Sequence, residues 1–198
     1  MTTITAKDVS ALRQKTGAGM MDCKKALAEA GGDEQKAIEI LRRKGLKAAD
    51  KKAERSTSEG RVYAYIHHNQ RVGVMIQVAC ETDFVARGEE FERLCSDLCM
   101  QIAATDPLAV SAEDLPADVL ESERKALMEA DDLQGKPEEV REKIVDGRMR
   151  KFVQDRALLE QEFVKDPSMT VSDRVKAAIA KLGENIRVER FCRFELGA

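Results

Sequence analysis

The chain has 198 residues, 43% of them hydrophobic, 4% aromatic and none tryptophan, so its core is expected to be aliphatic. Its formal net charge of −3 hides an asymmetry: residues 1–55 hold 13 Lys and Arg against 8 Asp and Glu, a balance of +5, and the remainder carries −8. No run of 18 apolar residues exists, which excludes a membrane span; Met1 to Lys15 lacks a secretory pattern, and five irregularly spaced cysteines suit free thiols in a reducing cytoplasm. A basic first segment raises nucleic acid as a partner, but it contains no aromatic residue to stack on a base. A solvated helix surface, or one facing an acidic partner helix, is the expectation instead.

Three short helical patterns open the chain. Thr5 is a suitable N-cap for a helix with Val9 and Leu12 on one face, stopping at Gly17-Ala18-Gly19. A second, from about Met21, presents Cys23, Ala26, Leu27 and Ala30 and stops at Gly31-Gly32. Asp33 caps a third, with Ala37, Ile38, Ile40 and Leu41 inward, ending near Gly45. The charged run Lys44 to Glu59 reads as a helical or flexible connector.

The period then changes. Val62, Ala64 and Ile66 alternate with Tyr63, Tyr65 and His67, His68-Asn69-Gln70 offers a turn, and Val72, Val74, Ile76 and Val78 follow: an antiparallel hairpin. A helix is expected from about Glu89 to Ala104, then two more over Ala117 to Leu133 and Pro137 to Gln154 as a helical hairpin over 117–154. A helix from about Ser172 to Leu182 and a last strand over Arg187 to Leu196 complete an α+β chain. It divides into a three-helix bundle over 1–50, a connector over 51–59, and an α+β core over 60–198 with a three-stranded antiparallel sheet.

Little in the chain suggests catalysis. Adjacent strand positions put His67 and His68 on opposite faces, where they cannot readily share a metal ion, and a solvent-facing hairpin end is the expectation; Cys95 and Cys99 share an apolar helix face with no second pair of ligands to match. Thr16-Gly17-Ala18-Gly19-Met20 lacks the lysine and hydroxyl of a phosphate loop, so no nucleotide, cofactor or metal of its own is expected. No Ser or Cys pairs recognisably with a His and a carboxylate, so the chain does not read as an enzyme.

Thr82-Asp83-Phe84-Val85-Ala86-Arg87 lies between the second strand pattern and the next helix. Thr82 or Asp83 capping a short turn, with Phe84 packed in the core, is one reading; a functional loop is the other. Met20 and Met21 divide similarly between core filling and an adaptable contact surface.

The Thr82 to Arg87 segment resembles a signature of the elongation factor Ts family. So does Leu12-Arg13-Gln14-Lys15-Thr16-Gly17-Ala18-Gly19-Met20-Met21-Asp22-Cys23-Lys24-Lys25-Ala26-Leu27, with echoes at Glu162 to Ser168 and Arg193 to Gly197. The resemblance implies a ubiquitin-associated-type opening bundle and guanine nucleotide exchange on elongation factor Tu, bound with GDP or nucleotide-free, in protein biosynthesis. It assigns Thr82, Asp83, Phe84 and Val85 to disturbing the partner's Mg²⁺ site, and Arg13, Met20 and Met21 to holding the partner. The single hairpin before Thr82 places the chain with the short forms. A homodimer through the sheet would supply the missing half, burying Val188, Cys192, Phe194 and Leu196 on one face and Phe191 on the other. The alternatives are a ubiquitin-associated-type adaptor without exchange activity and a small-molecule enzyme on an α+β core; neither accounts for the Thr82 to Arg87 segment.

Overall fold

A computed structural model of the chain describes residues 4–197. The fold is α+β, with a three-stranded antiparallel sheet. The chain gathers into two compact units: one comprises the described residues through Arg61 with Ala79–Leu94 and Asp173–Arg187, and the other Val62–Val78, Cys95–Ser172 and the described residues from Val188 onward.

The first unit opens with helices α1 (Ala6–Thr16), α2 (Met20–Glu29) and α3 (Glu34–Asp50). Thr5 and Asp8 form a reciprocal capping box at the start of α1, which satisfies two N–H groups that a helix start leaves without partners. Gly17 ends α1 at φ 69°, a left-handed conformation that a side chain would strain. Asp33 caps α3 through the Lys36 N–H at 3.1 Å. Val9, Leu12, Cys23, Ala26, Leu27, Ala37 and Ile40 are buried together between the three helices. The third helix does not stop at Gly45; it runs on to Asp50, burying Ala49. Gly45 serves close packing instead, since a Cβ there would stand 3.2 Å from that of Ala180. Arg42 and Lys176 add ion pairs to Asp173 (2.9 Å) and Asp50 (2.8 Å) between α3 and helix α8 (Val171–Leu182).

The sheet has the order β1 (Glu59–Ile66), β2 (Val72–Cys80), β5 (Ile186–Glu195). Within the second unit Val74, Ile76 and Val78 point inward and Met75 outward, the alternation of a sheet covered on one side. Val62, Ile66 and Phe194 are exposed with Met75. They share the outer face: a Cβ at Gly73 would meet Ile66 Cδ1 at 3.1 Å, and Arg190 Nε donates to Gln77 Oε1 at 2.9 Å. Phe191 is half-buried, and Arg193 two residues on reaches the Ala103 carbonyl of helix α5 (Glu89–Thr105). Val188 is also half-buried.

The predicted hairpin is present as α6 (Ala117–Met128) and α7 (Glu138–Arg156), with a 3₁₀ turn at Asp131–Leu133 where the sequence pattern suggests continuous helix. Arg124 and Asp146 join α6 to α7 at 2.8 Å. A short pair, β3 (Glu162–Phe163) and β4 (Asp166–Thr170), is invisible to alternation because Glu162–Phe163 is only two residues long. Buried Gln101 fixes this region, donating to Gln161 Oε1 at 3.0 Å and the Glu162 carbonyl at 3.1 Å while accepting the Val164 N–H at 2.8 Å. Among the described residues no helix is long and apolar enough to cross a membrane.

Candidate partner-binding site

Where β2 ends, the chain makes one turn of helix, α4 (Asp83–Ala86), before α5 begins. Thr82 is extended (φ −131°, ψ 154°), as an N-cap should be, and its hydroxyl accepts the Val85 N–H at 3.4 Å. The turn closes at Gly88, whose N–H reaches the Val85 carbonyl at 3.0 Å; a Cβ on Gly88 would crowd that oxygen at 3.2 Å.

This geometry sorts the four predicted site residues. Ala86 points inward and is buried, Thr82, Asp83 and Val85 are half-buried, and Phe84 is 84% exposed. The core-packing reading of Phe84 therefore fails. Asp83 pairs with Arg87 one turn on at 3.1 Å, an exposed contact that contributes little and leaves the carboxylate accessible.

Behind the turn lies a polar cluster that sequence patterning does not reveal. Glu184 Oε2 accepts the N–H groups of Glu81 (3.2 Å) and Thr82 (3.0 Å), and Glu184 Oε1 accepts the Thr82 hydroxyl at 2.6 Å. Glu81 in turn accepts the Asn185 N–H at 2.6 Å and pairs with Arg55 at 3.4 Å. The Asn185 N–H, with Arg55 and Lys52 nearby, holds the Glu81 carboxyl below its usual range. Buried Asn185 donates its amide to the carbonyls of Ala53 (3.2 Å) and Arg55 (2.8 Å) in the segment after α3. The Cys80 thiol donates to the Thr82 carbonyl at 3.2 Å; burial and then the Glu184 charge push its pKa up, which keeps it protonated.

On the bundle, Arg13 is exposed in the last turn of α1, and Met20 and Met21 open α2 at 43% and 62% exposure. Both methionines face solvent, so neither fills the core. Thr16 is spent internally, its hydroxyl donating to the Leu12 carbonyl at 2.8 Å. The Gly17 turn rests under the stem of Lys181, 3.0 Å from where a Cβ would stand, and the Lys181 ammonium reaches Glu90 near the start of α5 at 2.7 Å. The end of α8 thus touches both the loop before the methionines and the helix after Phe84.

His67 and His68 lie at the hairpin end as expected, but not on opposite faces of a strand. Their rings stand 4.1 Å apart, because β1 ends at Ile66 and strand alternation no longer applies. His67 Nδ1 is 2.9 Å from the Tyr65 hydroxyl. Cys95 and Cys99 are buried and in no disulfide, and burial with the neighbouring Cys95 pushes the Cys99 pKa up to about 12. Among the described residues no three His, Cys, Asp or Glu side chains are grouped to hold a metal.

Known proteins resemble the chain over nearly its whole length. The family model described as Elongation factor TS matches residues 7–198. Elongation factor Ts of Thermoanaerobacter sp. (strain X514) is 55% identical over 194 residues, covering 98% of this chain and 95% of that one. Elongation factor Ts of Oleidesulfovibrio alaskensis is 54% identical over 198 residues, the full length of both. That of a Synechococcus strain is 56% identical over 195 residues, covering 98% of this chain and 76% of the relative. A match of this extent and identity, carried by a chain whose signature segment projects from its surface, establishes that the chain belongs to the elongation factor Ts family.

Proposed function

We propose that the chain is a guanine nucleotide exchange factor that binds GDP-loaded elongation factor Tu, disturbs its Mg²⁺ site and releases GDP so that GTP can enter. The observation that carries this reading is the 84% exposure of Phe84 on a turn pinned by Glu184. Exchange is a coupling between two ligands of one partner: whatever weakens nucleotide binding must itself bind less tightly while nucleotide is present. Each tenfold weakening takes about 1.4 kcal/mol. Burying one phenylalanine supplies about 1.5–3 kcal/mol, one to two such steps.

That magnitude calls for a second contact. Arg13, Met20 and Met21, exposed together where α1 gives way to α2, hold a helix of the partner's nucleotide domain while Thr82, Asp83, Phe84 and Val85 act. Residues 1–50 serve as the ubiquitin-associated-type holding domain, 51–59 as connector and 60–198 as the working core, in the cytoplasm. The chain needs no chemistry, cofactor or metal of its own; the Mg²⁺ belongs to the partner.

A second copy covers the outer sheet face. Val62, Ile66, Met75 and Phe194 are exposed there, and sheet-on-sheet pairing of two copies buries them.

Stopped-flow release of fluorescent GDP from elongation factor Tu tests the exchange reading. Addition of the purified chain should accelerate release in a concentration-dependent way; release at the spontaneous rate would refute it.

A further inference from the structure

The Thr82 hydroxyl has one proton and two lone pairs. Its proton is committed to Glu184 Oε1 at 2.6 Å, which leaves an oxygen lone pair for the Val85 N–H at 3.4 Å. A hydroxyl donating to a carboxylate makes a short, charge-assisted bond, whereas a cap at 3.4 Å is weak. The stronger bond therefore sets the rotor and the weaker one follows it. The other oxygen of Glu184 holds the two N–H groups that lead into the turn, at 3.2 and 3.0 Å.

These demands fit glutamate and no uncharged isostere. Both side-chain oxygens must accept, and neither may donate. Glu184 is delivered by a helix stop: Gly183, at φ 82°, ends α8 and turns the chain towards the end of β2. Its neighbour Asn185 takes the Glu81 carboxylate, so adjacent residues of one corner hold adjacent residues of the other. Within α4 itself only Ala86 is buried. The direction of Phe84 consequently depends on what grips Thr82.

We propose that Glu184 is a positioning residue for nucleotide release, fixing the Thr82 hydroxyl and the strand end so that Phe84 projects in its working direction. This rests on the reading of Thr82 to Val85 as the segment that acts on elongation factor Tu. Glu184 touches neither nucleotide nor Mg²⁺ in this account; it acts through Thr82.

The test is Glu184→Gln, nearly unchanged in shape. Its amide has one accepting oxygen, so with that oxygen on the backbone N–H groups its NH₂ faces Thr82 and reverses the hydroxyl. Release of fluorescent GDP is followed over a range of factor concentrations, which separates the limiting rate from the half-saturating concentration, with thermal melting alongside. The limiting rate should fall about tenfold, since small misplacements of a working group are costly, while half-saturation moves less than about twofold. In a Phe84→Ala background the same change should cost less than about twofold more, because a positioning residue has nothing left to position. A full additional loss in that background would overturn the proposal. So would an unchanged limiting rate in Glu184→Gln alongside a slowed Phe84→Ala, which leaves the exchange reading standing. If Phe84→Ala itself releases GDP normally, the reading beneath falls and takes the proposal with it. Should Glu184→Gln fail to fold, Thr82→Val removes only the hydroxyl; it should reproduce the tenfold loss, and normal release by that variant would overturn the proposal.

Discussion

The carboxylate of Glu81 accepts the backbone N–H of Asn185 at 2.6 Å, joining residues 104 apart in the chain. A backbone donor aimed at a carboxylate favours its charged form and lowers its pKa below the ordinary 4.5. The stability this contributes is complete above that ordinary value and is lost as pH falls through the lower, folded value. Melting curves between pH 6 and about 3 should therefore show an acid decline that is shallower in Glu81→Gln, measured against its own neutral-pH stability. Parallel declines in the two proteins would remove this role from Glu81.

Asn185 is the neighbouring case, with stability as the readout. Replacing it by Ala strips the hydrogen bonds from the Ala53 and Arg55 carbonyls. A loss of about 1–2 kcal/mol is expected, which lowers Tm by roughly 2–8 °C in a chain of this size. An unchanged Tm by calorimetry would mean that water replaces the amide at no cost.

Phe84→Ala should behave in the opposite way. A side chain with 84% of its surface already exposed has little burial to lose, so Tm should stay within about 1–2 °C of the parent. GDP release from elongation factor Tu should slow about ten- to a hundredfold, the range set by one phenylalanine. A large fall in Tm with normal release would return Phe84 to a structural role.

Oligomeric state tests the sheet face. The parent should sediment as a dimer and Phe194→Glu as a monomer, since a charge placed on an apolar interface is left unpaired and desolvated. Ala126→Glu, exposed on α6, should leave the dimer intact. Dissociation by the α6 substitution, with Phe194→Glu still paired, would transfer the interface to the helical hairpin. Phe191 is a poorer probe than the sequence suggests, because it is half-buried within its own chain.

Much of the fold is legible locally because caps and periods act over a few residues. Thr5 and Asp33 mark helix starts through hydrogen bonds that their own side chains accept, and Gly17 marks a helix end through a left-handed backbone angle that its lack of a side chain permits. Gly45 misleads for a related reason: glycine permits a stop but also permits close approach, and only the presence of Ala180 shows which applies. The His67–His68 pair misleads because alternation holds only while the strand lasts. Phe84 is ambiguous in isolation, since an apolar residue after a cap normally packs inward; the family signature, not periodicity, points outward. Glu184 is missed altogether. It follows a helix-ending glycine as an ordinary polar loop residue would, and its partners lie 102 and 103 positions away.

The one-turn helix carrying Phe84 separates two kinds of selection. Its foothold is the buried Ala86, and its exposed tip, Phe84, shares no atoms with it. Substitutions at position 84 are filtered by what the tip meets and those at position 86 by the folded state, so these two positions can drift independently. A library randomised at position 84 should accordingly yield folded proteins almost without exception, graded by activity alone, whereas one randomised at position 86 should lose members to unfolding before any partner is met.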